Sequence, residues 1–219
     1  MKPISQQDVV IIGAGGFGRE VLETIQQTKE FRVLGFLDDN TKLSKCNGYK
    51  IIGKINWLHR RDKYLAPLGV VICIGDPKTR ELIVSKIRKI KNIWFPKIIH
   101  PSVYVPKSTI IEDGVIIQNN CYISCNVKIK EFAHINCLSI IGHDSIIGHF
   151  VTLSPGSKIM GNVILGDRVF FGVNASTTRG IKIDDDSIIG GASFVLDNVP
   201  KKSCYYGSPA TFKRKNEVK

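Results

Sequence analysis

Residues 141–172, IGHDSIIGHFVTLSPGSKIMGNVILGDRVFFG, decide how this chain folds. Ile141, Ile147, Leu153, Ile159, Leu165 and Phe171 recur at every sixth place. The same register runs outward in both directions. Positions 99, 105, 111, 117, 123, 129 and 135 read Ile, Val, Ile, Ile, Ile, Ile, Ile; positions 177, 183, 189 and 195 read Thr, Ile, Ile, Val. Thr177 is the one polar member, and no insertion breaks the register. A small or β-branched residue stands four places after each, as at Ser139, Ser145, Val151, Ser157, Val163, Val169 and Ala175. A helical period of 3.6 drifts out of step with this within two turns, and plain alternation does not skip to six. A hexapeptide repeat marks a parallel β-helix. Each hexad supplies one short strand and one corner. The apolar residue fills a triangular interior and the small residue fits the corner beside it. Three hexads close a coil of about 18 residues, stacked on the next at the strand spacing of ~4.8 Å.

Before Ile99 the pattern is different. Residues 9–25, VVIIGAGGFGREVLETI, carry Gly13, Gly15 and Gly18 in G-x-G-x-x-G spacing, and FRVLGFLDD ends in Asp38 and Asp39. Such glycines let the backbone approach a phosphate at a helix N-terminus. The pattern predicts strands at 8–13, 31–37 and 69–75, helices at 17–29, 55–62 and 78–90, and a short strand at 92–95. This is about half of a dinucleotide fold. It has room for one mononucleotide, and no second half follows to take a nicotinamide, so an NAD-dependent oxidoreductase is excluded on architecture. Two domains are expected, 1–98 and 99–219, the second ending in a basic tail.

The formal net charge is +12, from 31 Lys and Arg against 19 Asp and Glu. Residues 1–98 hold 18 of these cations against 9 acids, and the rest hold 13 against 10. The basic residues are scattered, with no recognition module and no aromatic interleaving, so the charge suits a small polyanion rather than nucleic acid. No segment is long and apolar enough for a membrane span. The opening residues lack a signal-peptide pattern, and a cytoplasmic location is expected. The six cysteines form no C-x-x-C pair and read as small buried thiols. No metal ligand set is visible.

GAGGFG, FLDD, the IIGHDSIIG hexads and the closing YYGSPA together resemble one group of hexapeptide-repeat acyltransferases. These are the bacterial nucleotide-sugar N-acetyltransferases of the UDP-4-amino-sugar type, related to sialic acid O-acetyltransferase-like proteins. The resemblance spans nearly the whole chain. It implies a Rossmann-like α/β nucleotide-binding domain followed by a left-handed β-helix, assembled as a homotrimer. It implies acetyl-CoA as co-substrate without a metal. The acceptor is then a nucleotide-linked 4-amino-4,6-dideoxy sugar, UDP being the expected carrier, made for surface glycans. O-acetylation of a sugar hydroxyl and a non-catalytic nucleotide-sugar-binding protein are the alternatives.

Residue by residue, the resemblance places Gly15, Gly16, Phe17, Asp38, Asp39 and Gly75 at the nucleotide, with Arg80 as a phosphate contact. It places Thr152, Gly161, Val173 and Gly191 at coenzyme A. Many relatives have a second histidine where this chain has Thr152. Of the five histidines, His59 and His100 lie outside or at the edge of the repeat, and His134 ends its hexad. His143 and His149 each sit two places after an interior Ile and so project outward. His143 precedes Asp144, whose carboxylate can hold the ring and raise its basicity. One coil onward lies Gly161, which leaves room for a thioester and a backbone N–H for an oxyanion. Asn136, one hexad earlier, is placed to reach the same groove. His143 is therefore the expected general base. His149, followed by Phe150, reads as a surface or subunit-interface residue. The basic tail, Lys201, Lys202, Lys213, Arg214 and Lys215, is a further candidate for the coenzyme's phosphates, a disordered tail being the alternative.

Overall fold

The apolar runs at the head of the chain assemble into one mostly parallel sheet. Its strands are β1 (Gln7–Ile12), β2 (Phe31–Leu37), β3 (Lys45–Cys46), β4 (Tyr49–Gly53), β5 (Leu68–Ile72) and β6 (Ile93–Trp94). Three helices accompany them: α1 (Gly16–Thr28), α2 (Trp57–Arg60) and α3 (Pro77–Ile87). This computed structural model describes residues 6–216, apart from 41, 43 and 61–65. The sheet order is β3-β4-β2-β1-β5-β6. The chain therefore leaves β1 toward one edge and returns to β5 on its other side. The crevice at the carboxyl ends of β1 and β5 is the switch point where doubly wound sheets bind ligands.

The glycines explain the sharp β1–α1 turn. Gly13 has φ 98°, and a Cβ there would meet the Cys73 carbonyl oxygen at 2.8 Å. A Cβ on Gly18 would collide with the Gly13 carbonyl oxygen. Helix α3 starts with Asp76, whose side chain accepts from Thr79 N–H at 2.8 Å, followed by Pro77. Three expectations shift, the helix expected at 78–90 being α3, which ends at Ile87. The strand expected at 69–75 is β5, because residues 73–75 peel away into a loop. The helix expected at 55–62 is α2, with residues 61 and 62 outside those described. Strands β3 and β4 pair antiparallel, with Asn47 and Gly48, both at positive φ, at their turn.

From Ile98 the hexads wind a parallel β-helix with three faces. Face A carries Ile98–Ile99, Ile116–Ile117, His134–Ile135, Thr152–Leu153, Phe170–Phe171 and Ile188–Ile189. Face B carries Tyr122–Ile123, Ile140–Ile141, Lys158–Ile159, Ser176–Thr177 and Phe194–Val195. Face C carries Ile110–Ile111, Lys128–Ile129, Ile146–Ile147, Ile164–Leu165 and Lys182–Ile183. Every rung pairs in parallel with the one a coil away: Tyr122 with Ile140, Lys128 with Ile146, His134 with Thr152. The interior Ile117, Ile129, Ile135, Ile141, Ile147 and Leu153 are fully enclosed. Most corners turn on a residue near φ 60°, among them Asn126, Asp144, Asn162 and Arg168. Such a backbone costs a non-glycine residue about 1 kcal/mol and recurs here because the coil demands it.

The first domain docks on face A. Ile98 and Ile116 join the core beneath α1. Phe132 and Phe150, at the C/A corner, stack at 5.3 Å and join the core beneath α3 with Phe95. Among the described residues ion pairs rim the contact: Arg168 with Glu81 at 3.1 Å, Arg88 with Glu131, and Lys97 with Asp113 at 3.7 Å.

Candidate functional site

His143 stands at a B/C corner, the edge of the prism that face A does not touch. Its corner turns on Asp144 at φ 60°, which brings the two side chains together. The ring Nδ1 lies 2.7 Å from Asp144 Oδ2. Asn126, one coil below, donates its amide to Asp144 Oδ1 at 2.9 Å. The bond to His143, and then that to Asn126, lower the Asp144 pKa. Asp144 is thus a carboxylate at neutral pH, and Nδ1 carries the proton it accepts. The Nε2 lone pair is left to act outward. The ring does not stand clear of the coil. A Cβ on Gly161 would meet Nε2 at 2.5 Å and Cε1 at 2.7 Å. The space over Gly161, expected to admit a thioester, is taken by the imidazole itself.

At the other domain, Gly15 caps α1 without a side-chain bond, leaving the helix's first N–H groups open. Open space lies above Gly15 and Gly75, where a Cβ would meet nothing within 4 Å. Asp38 fastens this loop: Oδ2 accepts from Ala14 N–H at 2.8 Å and Oδ1 from Asn40 N–H at 2.8 Å. Asp39 accepts from Ile55 N–H at 3.1 Å. It stands at the lip of a cleft of about 540 Å³ between α2 and α3, with Lys54, Asn56, His59, Thr79 and Lys86.

Two expected roles change. Arg80 does not face a phosphate: it is fully buried between the domains. Thr152 does not face a coenzyme groove: it is 4% exposed, and its hydroxyl donates to the Gly75 carbonyl at 2.8 Å. Phe17 is half-buried with its ring 4.9 Å from that of His134. Asn136 spends its amide on the Leu153 carbonyl at 2.6 Å. His149, which lacks an acidic neighbour in sequence, lies 3.9 Å from Glu131 in the stack. Cys46, Cys73, Cys121 and Cys204 are buried, whereas Cys125 is exposed. Among the described residues no cluster of three or more His, Cys, Asp or Glu is placed to hold a metal, and no helix is long and apolar enough to cross a membrane.

A family model for the PglD N-terminal domain matches residues 8–87. GDP-perosamine N-acetyltransferase from Escherichia coli O157:H7 is 32% identical over 176 residues, 78% of each chain. The chain belongs to the nucleotide-sugar N-acetyltransferases. UDP-N-acetylbacillosamine N-acetyltransferase from Bacillus subtilis (strain 168) is 28% identical over 51% of each chain. The solved structure of PerB from Caulobacter crescentus, in complex with CoA and GDP-perosamine, superposes with a TM-score of 0.87 at 29% identity, over 94% of this chain and 97% of that one. Like other members of this family, the chain has a hexapeptide β-helix behind its α/β domain.

For an N-acetyltransferase of this plan, the single chain separates its parts. Val173, 50% exposed, and Gly191, one coil above it, lie on the A/B edge. His143 and Gly161 lie on the B/C edge, and the glycine loops lie against face A. Face B stands between the first two groups, and its outward residues include Tyr122, Ile140 and Phe194, all exposed. Asn126 carries no signal of its own in the hexad pattern, although counting one coil back from Asp144 lands on it.

Proposed function

We propose that this acetyl-CoA-dependent sugar N-acetyltransferase acylates the 4-amino group of a nucleotide-linked 4-amino-4,6-dideoxy sugar with His143 as general base. The observation that carries the reading is the Asn126–Asp144–His143 chain of hydrogen bonds, ending with Nε2 poised above Gly161. The amine nitrogen attacks the thioester carbonyl while its proton passes to Nε2. The tetrahedral oxyanion takes a backbone N–H, that of Gly161 being the candidate. Collapse expels the coenzyme thiolate, which takes the proton back from the imidazolium. A positioned base contributes ~10²–10⁴-fold.

The nucleotide belongs in the crevice between the Gly15–Gly16 and Gly75 loops, its phosphates against the open N-terminus of α1. Asp38 holds that loop and Asp39 marks its far side. Guanosine diphosphate is the favoured carrier, in place of the UDP expected from sequence. The relative matched over 78% of its length acts, by name, on GDP-perosamine, and the bacillosamine enzyme is matched over 51%. Coenzyme A then lies along the A/B edge by Val173 and Gly191 of one copy and the B/C edge by Gly161 and His143 of a neighbour. A homotrimer joined through the apolar residues of face B completes three such sites. The test is His143→Ala. It should lose at least ~10²-fold in acetyl transfer and keep coenzyme binding by calorimetry. Wild-type turnover in that variant removes His143 from the mechanism.

A further inference from the structure

Resting on that reading, we propose that Arg80, His134 and Thr152 form a positioning junction. They hold both glycine loops of the nucleotide site in one place on the β-helix, and so set nucleotide-sugar affinity without touching either substrate. Arg80 comes from α3 and is wholly enclosed. Its Nη1 donates to the Ile74 carbonyl at 2.6 Å and the Gly75 carbonyl at 3.3 Å, and lies 3.0 Å from His134 Nδ1. Its Nη2 donates to the Phe150 and Val151 carbonyls at 2.6 and 3.1 Å and to Thr152 Oγ1 at 3.1 Å. The Thr152 hydroxyl donates in turn to the Gly75 carbonyl. The Gly75 loop is thus gripped twice. The Gly15–Gly16 loop is held through Phe17, whose ring packs on His134.

The protonation states agree with this arrangement. Burial lowers the Arg80 pKa to about 9, which leaves a cation at neutral pH. Burial, and then that cation, hold His134 well below its ordinary 6.5, so the ring is neutral. Its Nδ1 accepts from Arg80, and the ring proton sits on Nε2. Among the described residues neither His134 Nε2 nor Arg80 Nε makes a well-formed hydrogen bond, and the Ile72 carbonyl beside the ring raises the His134 pKa only in part against burial and Arg80. Among the described residues Arg80 hydrogen-bonds to no carboxylate, and Asp76 acts on it only through its charge; a buried cation held this way is a costly means of joining two surfaces, and well-packed apolar residues commonly do it at no loss of stability. What the guanidinium adds is direction, because its planar fork fixes several acceptors relative to one another.

The test uses the full-length protein and the variants Thr152→Val, His134→Phe and Arg80→Lys. Thr152→Val preserves shape and removes the hydroxyl. His134→Phe preserves the packing on Phe17 and removes the acceptor. Arg80→Lys preserves the charge and loses the fork. Hydrogen–deuterium exchange is followed at residues 13–17 and 74–79 and, as reference, across the coils. Steady-state kinetics are run with GDP-perosamine and acetyl-CoA varied in turn. The junction predicts faster exchange in the two loops and unchanged exchange in the coils. It also predicts a roughly tenfold rise in KM for the nucleotide sugar, with kcat and the acetyl-CoA KM within about twofold. If Arg80→Lys fails to fold, the other two variants decide. Unchanged loop exchange in both overturns the proposal, as does an equal rise in both KM values with a lowered thermal midpoint. If the wild-type protein acetylates no nucleotide-linked amino sugar, the functional reading falls, and the exchange measurement still decides the junction.

Discussion

Gly161→Ala removes the ground on which His143 rests. The new methyl would stand 2.5 Å from Nε2, 2.7 Å from Cε1 and 3.0 Å from Cδ2. Ordinary carbon contacts are about 3.5–4.0 Å, so the ring must retreat by about 1 Å or more. The Gly161 backbone is outside the positive-φ region, so alanine adds little strain of its own. The His143 side chain is half exposed and free to swing toward solvent. Leaving its rotamer costs about 1 kcal/mol, and the bond to Asp144 stretches or breaks. Stability should therefore change little. Catalysis should change much more, because a misplacement of about 1 Å at a reacting group costs on the order of 10²-fold. The assay is thiol release from acetyl-CoA at saturating nucleotide sugar, beside calorimetric titration of coenzyme A. The expectation is a turnover loss of ~10²-fold or more with coenzyme binding retained. Turnover within about twofold of wild type refutes the reasoning. Loss of coenzyme binding with the His143–Asp144 bond intact by imidazole ¹⁵N NMR refutes it differently. The glycine would then make room for the thioester and not for the ring.

Asn126→Ala frees Asp144 Oδ1 and should raise the Asp144 pKa toward the ordinary carboxylate value by NMR titration, with kcat lowered several-fold and coenzyme binding unchanged. His134→Phe should flatten the pH dependence of stability. In the native state His134 stays neutral well below 6.5, whereas the unfolded chain takes up a proton there, so stability falls as pH drops below about 6.5, by up to about 1.4 kcal/mol per pH unit. Denaturant titrations of wild type and variant between pH 7 and 5 give the two slopes, and equal slopes contradict the buried neutral ring. Ile140→Glu places a charge on face B and should yield monomers by light scattering, with activity lost because each site draws on two copies; an active monomer would show that one chain suffices.

The coils were legible because a β-helix repeats one local rule. Interior Ile and Leu at every sixth place, with small residues four places on, are demanded by the same corner each time. Counting 18 residues from His143 correctly reached Gly161, since the coil carries no insertion. The count did not show that the imidazole folds down onto that glycine. This depends on the bond from Asn126 to Asp144, which comes from the coil below and which one hexad does not contain. G-x-G-x-x-G was likewise legible, because Gly13 and Gly18 answer to contacts within one turn. Arg80 and Thr152 were misplaced for a different reason. They lie 72 residues apart in sequence, and only the docking of the first domain on face A brings them into contact. A lone arginine one turn into a helix after a glycine loop resembles a phosphate ligand until the surface packed over it is known. The same docking buried His134, whose hexad position alone marked it as unremarkable.

Coenzyme A release should be measured with acetyl-CoA and GDP-, UDP- and dTDP-linked 4-amino-4,6-dideoxy sugars, with the product mass and its stability to hydroxylamine determined in the same reactions. The account predicts turnover with the GDP-linked amino sugar and a hydroxylamine-stable amide one acetyl group heavier than the acceptor. A hydroxylamine-labile ester, or no thiol release above background with any of these acceptors, contradicts it.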